Sequence, residues 1–178
     1  KHVPVDFWAE FAKEVKKVKP EFYLLGEVWS NDPSYIAKYD KAGIDGFVDY
    51  PLNGQLRTGF RKPDQTLDWL FTGWKRNQTL YEDPYLMGNF MDNHDTVRFT
   101  REAIQNRNLP TTRWKLALTY LYTAPGIPIV YYGSEIALDG GDDPDNRRDM
   151  TFQAEKELID HITNLGELRQ ELPSLTRG

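Results

Sequence analysis

The sequence predicts an α/β fold in which about four βα units build a parallel sheet covered by helices, half of an eight-stranded TIM (β/α)8 barrel. Three observations carry this. Apolar runs and amphipathic stretches alternate as helix, strand, helix, strand, helix, strand, helix, strand, loop, helix, and repeated βα units with apolar strands call for parallel pairing. The strands end near residues 26, 48, 91 and 131. Their mean separation of about 35 residues suits a barrel whose eight units need roughly 250 residues. No glycine-rich phosphate loop follows any strand, so a doubly wound nucleotide fold is the weaker structural alternative.

Each element has its own justification. Phe7, Phe11, Val15 and Val18 fall at helical spacing with Glu10, Lys13, Lys16 and Lys17 opposite, which predicts an amphipathic helix capped by Asp6. Lys19-Pro20 stops it, and Phe22 to Leu25 reads as a short buried strand. Asn31-Asp32-Pro33 opens a helix over 33–41, with proline allowed in the first turn, and Gly43 ends it. Gly46-Phe47-Val48 is the next strand and closes in Asp49-Tyr50-Pro51. From Leu52 to Glu82 the pattern is less regular, with one helix over 67–76. Leu86 to Asn89 forms the third strand. Thr111 to Tyr122 is helical, Ala124-Pro125-Gly126 breaks it, and Ile127 to Tyr132 is strongly β-forming. A polar loop over 139–148 precedes a final amphipathic helix, 155–170, through Leu158, Ile162, Leu165 and Leu168.

Composition bounds the function. With 178 residues, 39% of them hydrophobic and 13% aromatic, the chain can bury a sizeable core. A net charge of −5 and no basic run longer than two residues argue against nucleic acid. There is no cysteine for a disulfide or thiolate metal site. The longest apolar run, Ile127 to Tyr132, is far short of a membrane span, and no secretory signal is present. The first residue is Lys1 rather than Met, so the chain is expected to be trimmed, processed or cut from something longer.

Chemistry is expected where strands end. Gly88-Asn89-Phe90-Met91-Asp92-Asn93-His94-Asp95 runs an apolar strand straight into four polar or ionisable side chains. Asp95 or Thr96 as a helix cap is the structural alternative. Tyr23-Leu24-Leu25-Gly26-Glu27-Val28-Trp29 repeats the pattern, with a glycine that lets the backbone approach a ligand and an indole face suited to a sugar ring. Glycosidic cleavage needs a carboxylic acid to protonate the leaving oxygen and carboxylates to steady an oxocarbenium-like centre. Glu27 and Asp95 are the candidates, and partial desolvation beside Trp29 would keep Glu27 protonated, as a general acid requires. Tyr131, Tyr132 and Glu135 read as barrel packing, with Glu135 satisfied by backbone or arginine partners. The four acids from Asp139 to Asp145 lack EF-hand spacing and read as a polar binding loop. His2, His94 and His161 match no zinc motif. Trp69 and Trp74 read as helix packing before a starch platform.

Gly26-Glu27-Val28-Trp29 and Phe90-Met91-Asp92-Asn93-His94-Asp95 resemble, in order and separation, the third and fourth signature regions of the α-amylase family of glycoside hydrolases. Tyr131-Tyr132-Gly133-Ser134-Glu135 with Asp143-Pro144-Asp145-Asn146-Arg147 resembles that family's last strand and following loop. Lys1-His2 looks like the tail of its second signature. The wording is most similar to secreted bacillar α-amylases and neopullulanase-like relatives, and the resemblance covers essentially all 178 residues. It implies strands 5 to 8 of the parent barrel, without the N-terminal half or the C-terminal β domain. Glu27 would be the general acid/base and Asp95 the transition-state stabiliser. His94, with Asn93 beside it, would hold sugar hydroxyls in the cleavage subsite, Lys1 and His2 would touch the leaving-group side, and Trp29 would be a further substrate contact. Asp143 and Arg147 would bind the sugar further out, and the His2 backbone carbonyl would join a calcium site whose other ligands lie upstream. The partner implied is an α-glucan, and the location extracellular, with a cytoplasmic one as the alternative.

The family's nucleophile, an Asp a few residues before the Lys-His pair, would precede Lys1. A retaining double displacement without it has no covalent intermediate to form, so the chain alone is expected to be inactive. The other reading is a non-catalytic saccharide-binding or structural half-barrel. Half a barrel leaves open strand edges and bare apolar faces, so pairing with its N-terminal half or with itself is expected.

Overall fold

A computed structural model of the chain describes residues 3–61, 68–101, 110–153 and 156–176. Four short parallel strands form its centre: β1 (Leu25–Gly26), β2 (Gly46–Phe47), β3 (Gly88–Phe90) and β4 (Ile127–Ile129). β1 pairs with β2 in the register Leu25 to Gly46, and β3 with β4 in the register Gly88 to Ile127. A parallel bridge from Val48 to Gly88 links the two pairs. The strand order therefore follows the chain, as in a barrel arc. Six helices flank it among the described residues: α1 (Val5–Val18), α2 (Pro33–Ile36), α3 (Tyr50–Arg61), α4 (Asp68–Leu80), α5 (Pro110–Thr123) and α6 (Lys156–Glu171).

The strands are shorter than the apolar runs that encode them, because side chains take over backbone groups at both ends. Leu24 N–H donates to the Asp45 carboxylate at 2.7 Å, and Lys16 holds that carboxylate at 2.7 Å, so at Leu24 only the carbonyl serves the neighbouring strand, accepting Gly46 N–H at 3.3 Å. Past Ile129, the Tyr132 carbonyl accepts from Arg98 Nη1 at 2.7 Å rather than from a neighbouring strand. Gly26 is required by packing: a Cβ there would lie 2.7 Å from the Phe47 ring. The close backbone approach expected for a ligand is made to a side chain instead.

Two further expectations are corrected. Asp6 is not the cap of α1; Pro4 precedes the helix without a side-chain cap bond, and Asp6 sits in the first turn, where a negative charge suits the helix dipole. The stretch after Leu52, read as irregular up to the helix over 67–76, holds the well-formed α3. Pro51 occupies the first turn of α3, where its missing N–H costs nothing. Asp49 caps the helix, its Oδ1 accepting Leu52 N–H at 2.9 Å. Leu52, Leu56 and Phe60, four apart, are buried in a core with Met91, Phe99, Trp114, Leu118, Leu121, Leu158 and Leu165. A second cluster, Val28, Ile36, Tyr39, Phe47, Tyr81 and Met87, fills the space behind β1 and β2. The helix over 33–41 is α2 followed by a 3-10 turn to Ala42, opened by Asp32, whose Oδ1 accepts Ser34 N–H at 2.9 Å, and closed by Gly43 at φ 69°.

The apolar stripe of α1 faces outward. Phe7 is 56% exposed and Val18 89%, and of the helix only Ala12 is fully buried. Phe11, Phe22 and Leu25 extend the same bare surface across the open edge of β1. No described helix is long and apolar enough to cross a membrane.

Asp49 is 3% exposed and also accepts from the Tyr81 hydroxyl at 3.4 Å; burial pushes its carboxyl from 3.8 up to about 6. A carboxyl whose folded pKa lies above its unfolded one contributes stability below the unfolded pKa and loses it as pH rises through the folded one. Urea unfolding should therefore show a loss of about 2–3 kcal/mol from this group between pH 4 and pH 7. Asp49→Asn, which keeps a cap acceptor without the charge, should remove that component of the pH dependence.

Candidate active site

Because all four strands run parallel, their C-terminal ends share one rim. Glu27 follows β1 directly, Asp49 and Tyr50 follow β2, Asp92 to Asp95 follow β3, and Tyr131 and Tyr132 follow β4. A cleft of about 300 Å3 opens there, with Leu25, Val48, Phe90 and Ile129 as its floor and Glu27, Asn93, His94, Tyr131 and Tyr132 around it.

The two candidate carboxylates are tied together through Tyr50 and Asn93. Tyr50 Oη donates to Glu27 Oε1 at 2.8 Å, and Asn93 Nδ2 donates to Tyr50 Oη at 3.1 Å. Asn93 Oδ1 accepts the Asp95 N–H at 3.1 Å and the Thr96 hydroxyl at 2.9 Å. Asp95 and Thr96 thus lie in a turn organised by Asn93, not at a helix cap. Trp29 is 52% exposed and stacks on Tyr50, with ring centroids 5.0 Å apart and planes 20° from parallel. Glu27 itself is exposed, so the desolvation expected beside Trp29 is not supplied by the described residues.

Asp95 stands between His94 and Arg147. His94 Nε2 and Arg147 Nη2 each lie 3.3 Å from one of its oxygens, and Arg147 Nη2 also reaches Asp143 at 3.2 Å. Arg147 Nε and Asn146 Nδ2 both donate to the His94 carbonyl at 2.8 Å. The polar loop after β4 is thereby fastened to the turn after β3, which brings Arg147 to Asp95 and Asp143 to Arg147. Lys1, His2 and the side chain of Trp69 lie outside the described residues. Trp74 stacks on Phe71 at 5.9 Å, and His161 bonds the Lys115 carbonyl at 3.1 Å on its helix face. Glu135 is a correction: its Oε2 is buried without a hydrogen-bond partner, and so is Nη2 of Arg98. Among the described residues, no group of three or more His, Asp or Glu side chains could hold a metal. Calcium asks for six or more oxygens, so the described residues do not by themselves fit it.

Several supporting residues were not singled out from sequence. Asp92 is fully buried; its Oδ1 accepts Phe99 N–H at 2.7 Å and faces Arg57 Nη1 at 3.5 Å, and its Oδ2 accepts the Ser134 hydroxyl at 2.9 Å. Burial raises its pKa, against the opposing pull of Arg57. Asn53 and Arg57, one turn apart on α3, donate to the Met91 carbonyl at 2.9 and 2.8 Å. Arg98 lies between Tyr131 and Tyr132, with its guanidinium 4.3 Å from the Tyr131 ring centre. The readable signal for Tyr50 was its place: Asp49-Tyr50-Pro51 closes a strand, as Glu27 and Asp92 to Asp95 do.

Comparison with known proteins fixes the family. The sequence matches the α-amylase catalytic-domain family over residues 3–173. The chain belongs to that family. Its structure superposes on an Anoxybacillus α-amylase with a TM-score of 0.96 and 64% identity, covering 99% of this chain and 39% of that one. A Geobacillus thermoleovorans α-amylase in complex with acarbose gives a TM-score of 0.96 and 63% identity, over 99% and 40% of the two chains. A β/α-amylase of Paenibacillus polymyxa is 32% identical over 181 residues, all of this chain and 14% of that protein. The chain thus spans well under half the length of these relatives, and its fold is a partial (β/α)8 barrel.

Removing Asp92 leaves Arg57 buried without its carboxylate. Asp92→Ala should cost about 3–5 kcal/mol in urea unfolding, whereas His94→Ala, at an exposed site, should stay within about 0.5 kcal/mol.

Proposed function

We propose that this chain is the C-terminal half of the catalytic barrel of a retaining glycoside hydrolase that cleaves α-1,4-glucosidic bonds of starch-like α-glucans. The observation that carries the reading is the hydrogen-bonded path from Glu27 through Tyr50 and Asn93 to the Asp95 loop on one rim. Glu27 is the general acid/base: it protonates the glycosidic oxygen as the bond to the anomeric carbon breaks, then takes a proton from the incoming water. Asp95 stabilises the positive charge that builds on the ring, and its contacts with His94 and Arg147 hold it in place. His94 and Asn93 serve the sugar in the cleavage subsite. Trp29 offers an exposed aromatic face on the leaving-group side, where Lys1 and His2 would join it. Asp143 and Arg147 bind the next sugar outward.

The nucleophile in this reading lies before Lys1, and so do the remaining calcium ligands beyond the His2 carbonyl. Catalysis therefore needs the upstream half of the barrel, and a polymeric substrate favours action outside the cell. The exposed stripe of α1 and the open edge of β1 are the surface that half would cover.

Starch hydrolysis tests this directly. Chain co-expressed with the upstream half of the Anoxybacillus barrel should release reducing sugar, and the chain alone should not. Glu27→Gln and Asp95→Asn should each lower the rate by a factor on the order of a hundred to ten thousand; full activity in either variant would refute its assigned role. The chain alone should self-associate through its bare faces, and light scattering that gave a well-ordered monomer would contradict this.

A further inference from the structure

The Tyr50 hydroxyl has a defined polarity. Asn93 Oδ1 is occupied by the Asp95 N–H and the Thr96 hydroxyl, so the amide nitrogen of Asn93 is the end that faces Tyr50. A phenol carries a single proton, and burial with the Glu27 carboxyl nearby pushes Tyr50 well above the ordinary tyrosine range, so that proton is retained. With Asn93 donating to the oxygen, the Tyr50 proton is directed to Glu27 Oε1 at 2.8 Å. The ring is held as firmly as its hydroxyl. It is 4% exposed, stacked on Trp29 at 5.0 Å, edge-on to Phe90 at 5.1 Å, and set at the first residue of α3 behind the Asp49 cap.

We propose that Tyr50 is a positioning residue for Glu27, whose bond to Oε1 reserves Oε2 as the oxygen that carries and delivers the catalytic proton. The use made of this arrangement rests on the glycosidase reading; the arrangement itself does not. When Glu27 is neutral, Oε1 accepts the Tyr50 bond as a carbonyl oxygen and the proton sits on Oε2. Passing that proton to the glycosidic oxygen leaves a negative charge on the carboxylate, and the Tyr50 bond strengthens as the charge forms. In the return half-reaction Oε2 takes a proton from water while Tyr50 stays in place. Without the hydroxyl the two carboxyl oxygens become equivalent, and the carboxylate loses a donor that favours its charged form.

Tyr50→Phe keeps the ring and its contacts with Trp29 and Phe90 and removes the hydroxyl alone. The measurement is the pH titration of the Glu27 side-chain carboxyl carbon by NMR in the chain itself, with Glu27→Gln providing the assignment. The titration midpoint should rise by about one pH unit in Tyr50→Phe. It should rise by less in Asn93→Ala, where Tyr50 remains but loses the bond that polarises it. An unchanged midpoint in either folded variant overturns the proposal, and if Tyr50→Phe does not fold, Asn93→Ala decides alone. In the completed barrel, Tyr50→Phe should lower kcat on starch about ten-fold, leave KM within about two-fold, and move the alkaline limb of the pH profile upward. A change in KM alone would also overturn it. A completed wild-type barrel with no starch activity would count against the glycosidase reading, while the titration still decides the role of Tyr50.

Discussion

Every polar group of the rim depends on one constraint: the strands are two or three residues long, and the backbone beyond their last rung must find hydrogen bonds elsewhere. Side chains supply them. Asn53 donates to the carbonyls of Phe90 and Met91, Arg57 to Met91 and Val97, Arg98 to Tyr132 and Asn146, and Asn146 to His94 and Thr96. These bonds fix the loop on which Asn93 and Asp95 stand and fasten to it the loop that carries Arg147. The residues that do this are buried and polar, and each is worth more than a surface pair because the alternative is an orphaned carbonyl in the interior. The catalytic candidates are the outermost members of a network whose inner members are structural.

The same constraint explains what the sequence made legible. The order of elements and the parallel sheet follow from apolar runs and their spacing. Glu27, Asp95, Asn93 and His94 were visible because a charge directly after an apolar run has few other uses. Asp92 stood beside them, but nothing in the pattern of residues separates a buried carboxylate facing Arg57 from a half-buried one three positions on. α3 was missed because the stretch from Leu52 was read as irregular, whereas the deciding facts are the Asp49 cap and an apolar face at four-residue spacing that only a tertiary partner satisfies. In α1 the outcome of the pattern differed: Phe7, Phe11 and Val18 stay exposed, while Ala12 is buried and Val5 and Trp8 pack against the second core cluster.

Gly26 and Tyr50 show how tightly fold and site are coupled. Phe47 presses on Gly26 from β2, and Tyr50 reaches Glu27 from just beyond the same strand. The acid/base candidate is thus positioned by one neighbouring strand acting on both its backbone and its carboxyl. A shift of β2 against β1 would move both contacts together, whereas a shift of β3 reaches Glu27 only through Asn93 and Tyr50.

Arg169 near the end of α6 donates to the carbonyls of Tyr122, Ala124 and Gly126, where α5 gives way to β4. Those acceptors lie 43 to 47 residues earlier in the chain. During synthesis on the ribosome they emerge long before the guanidinium that closes them, and until then only water can serve them. The junction that sets the entry of β4 is therefore completed by a side chain translated 43 to 47 residues after its acceptors. A chain released early, short of Arg169, would carry its sequence for β4 without the clasp that orients it.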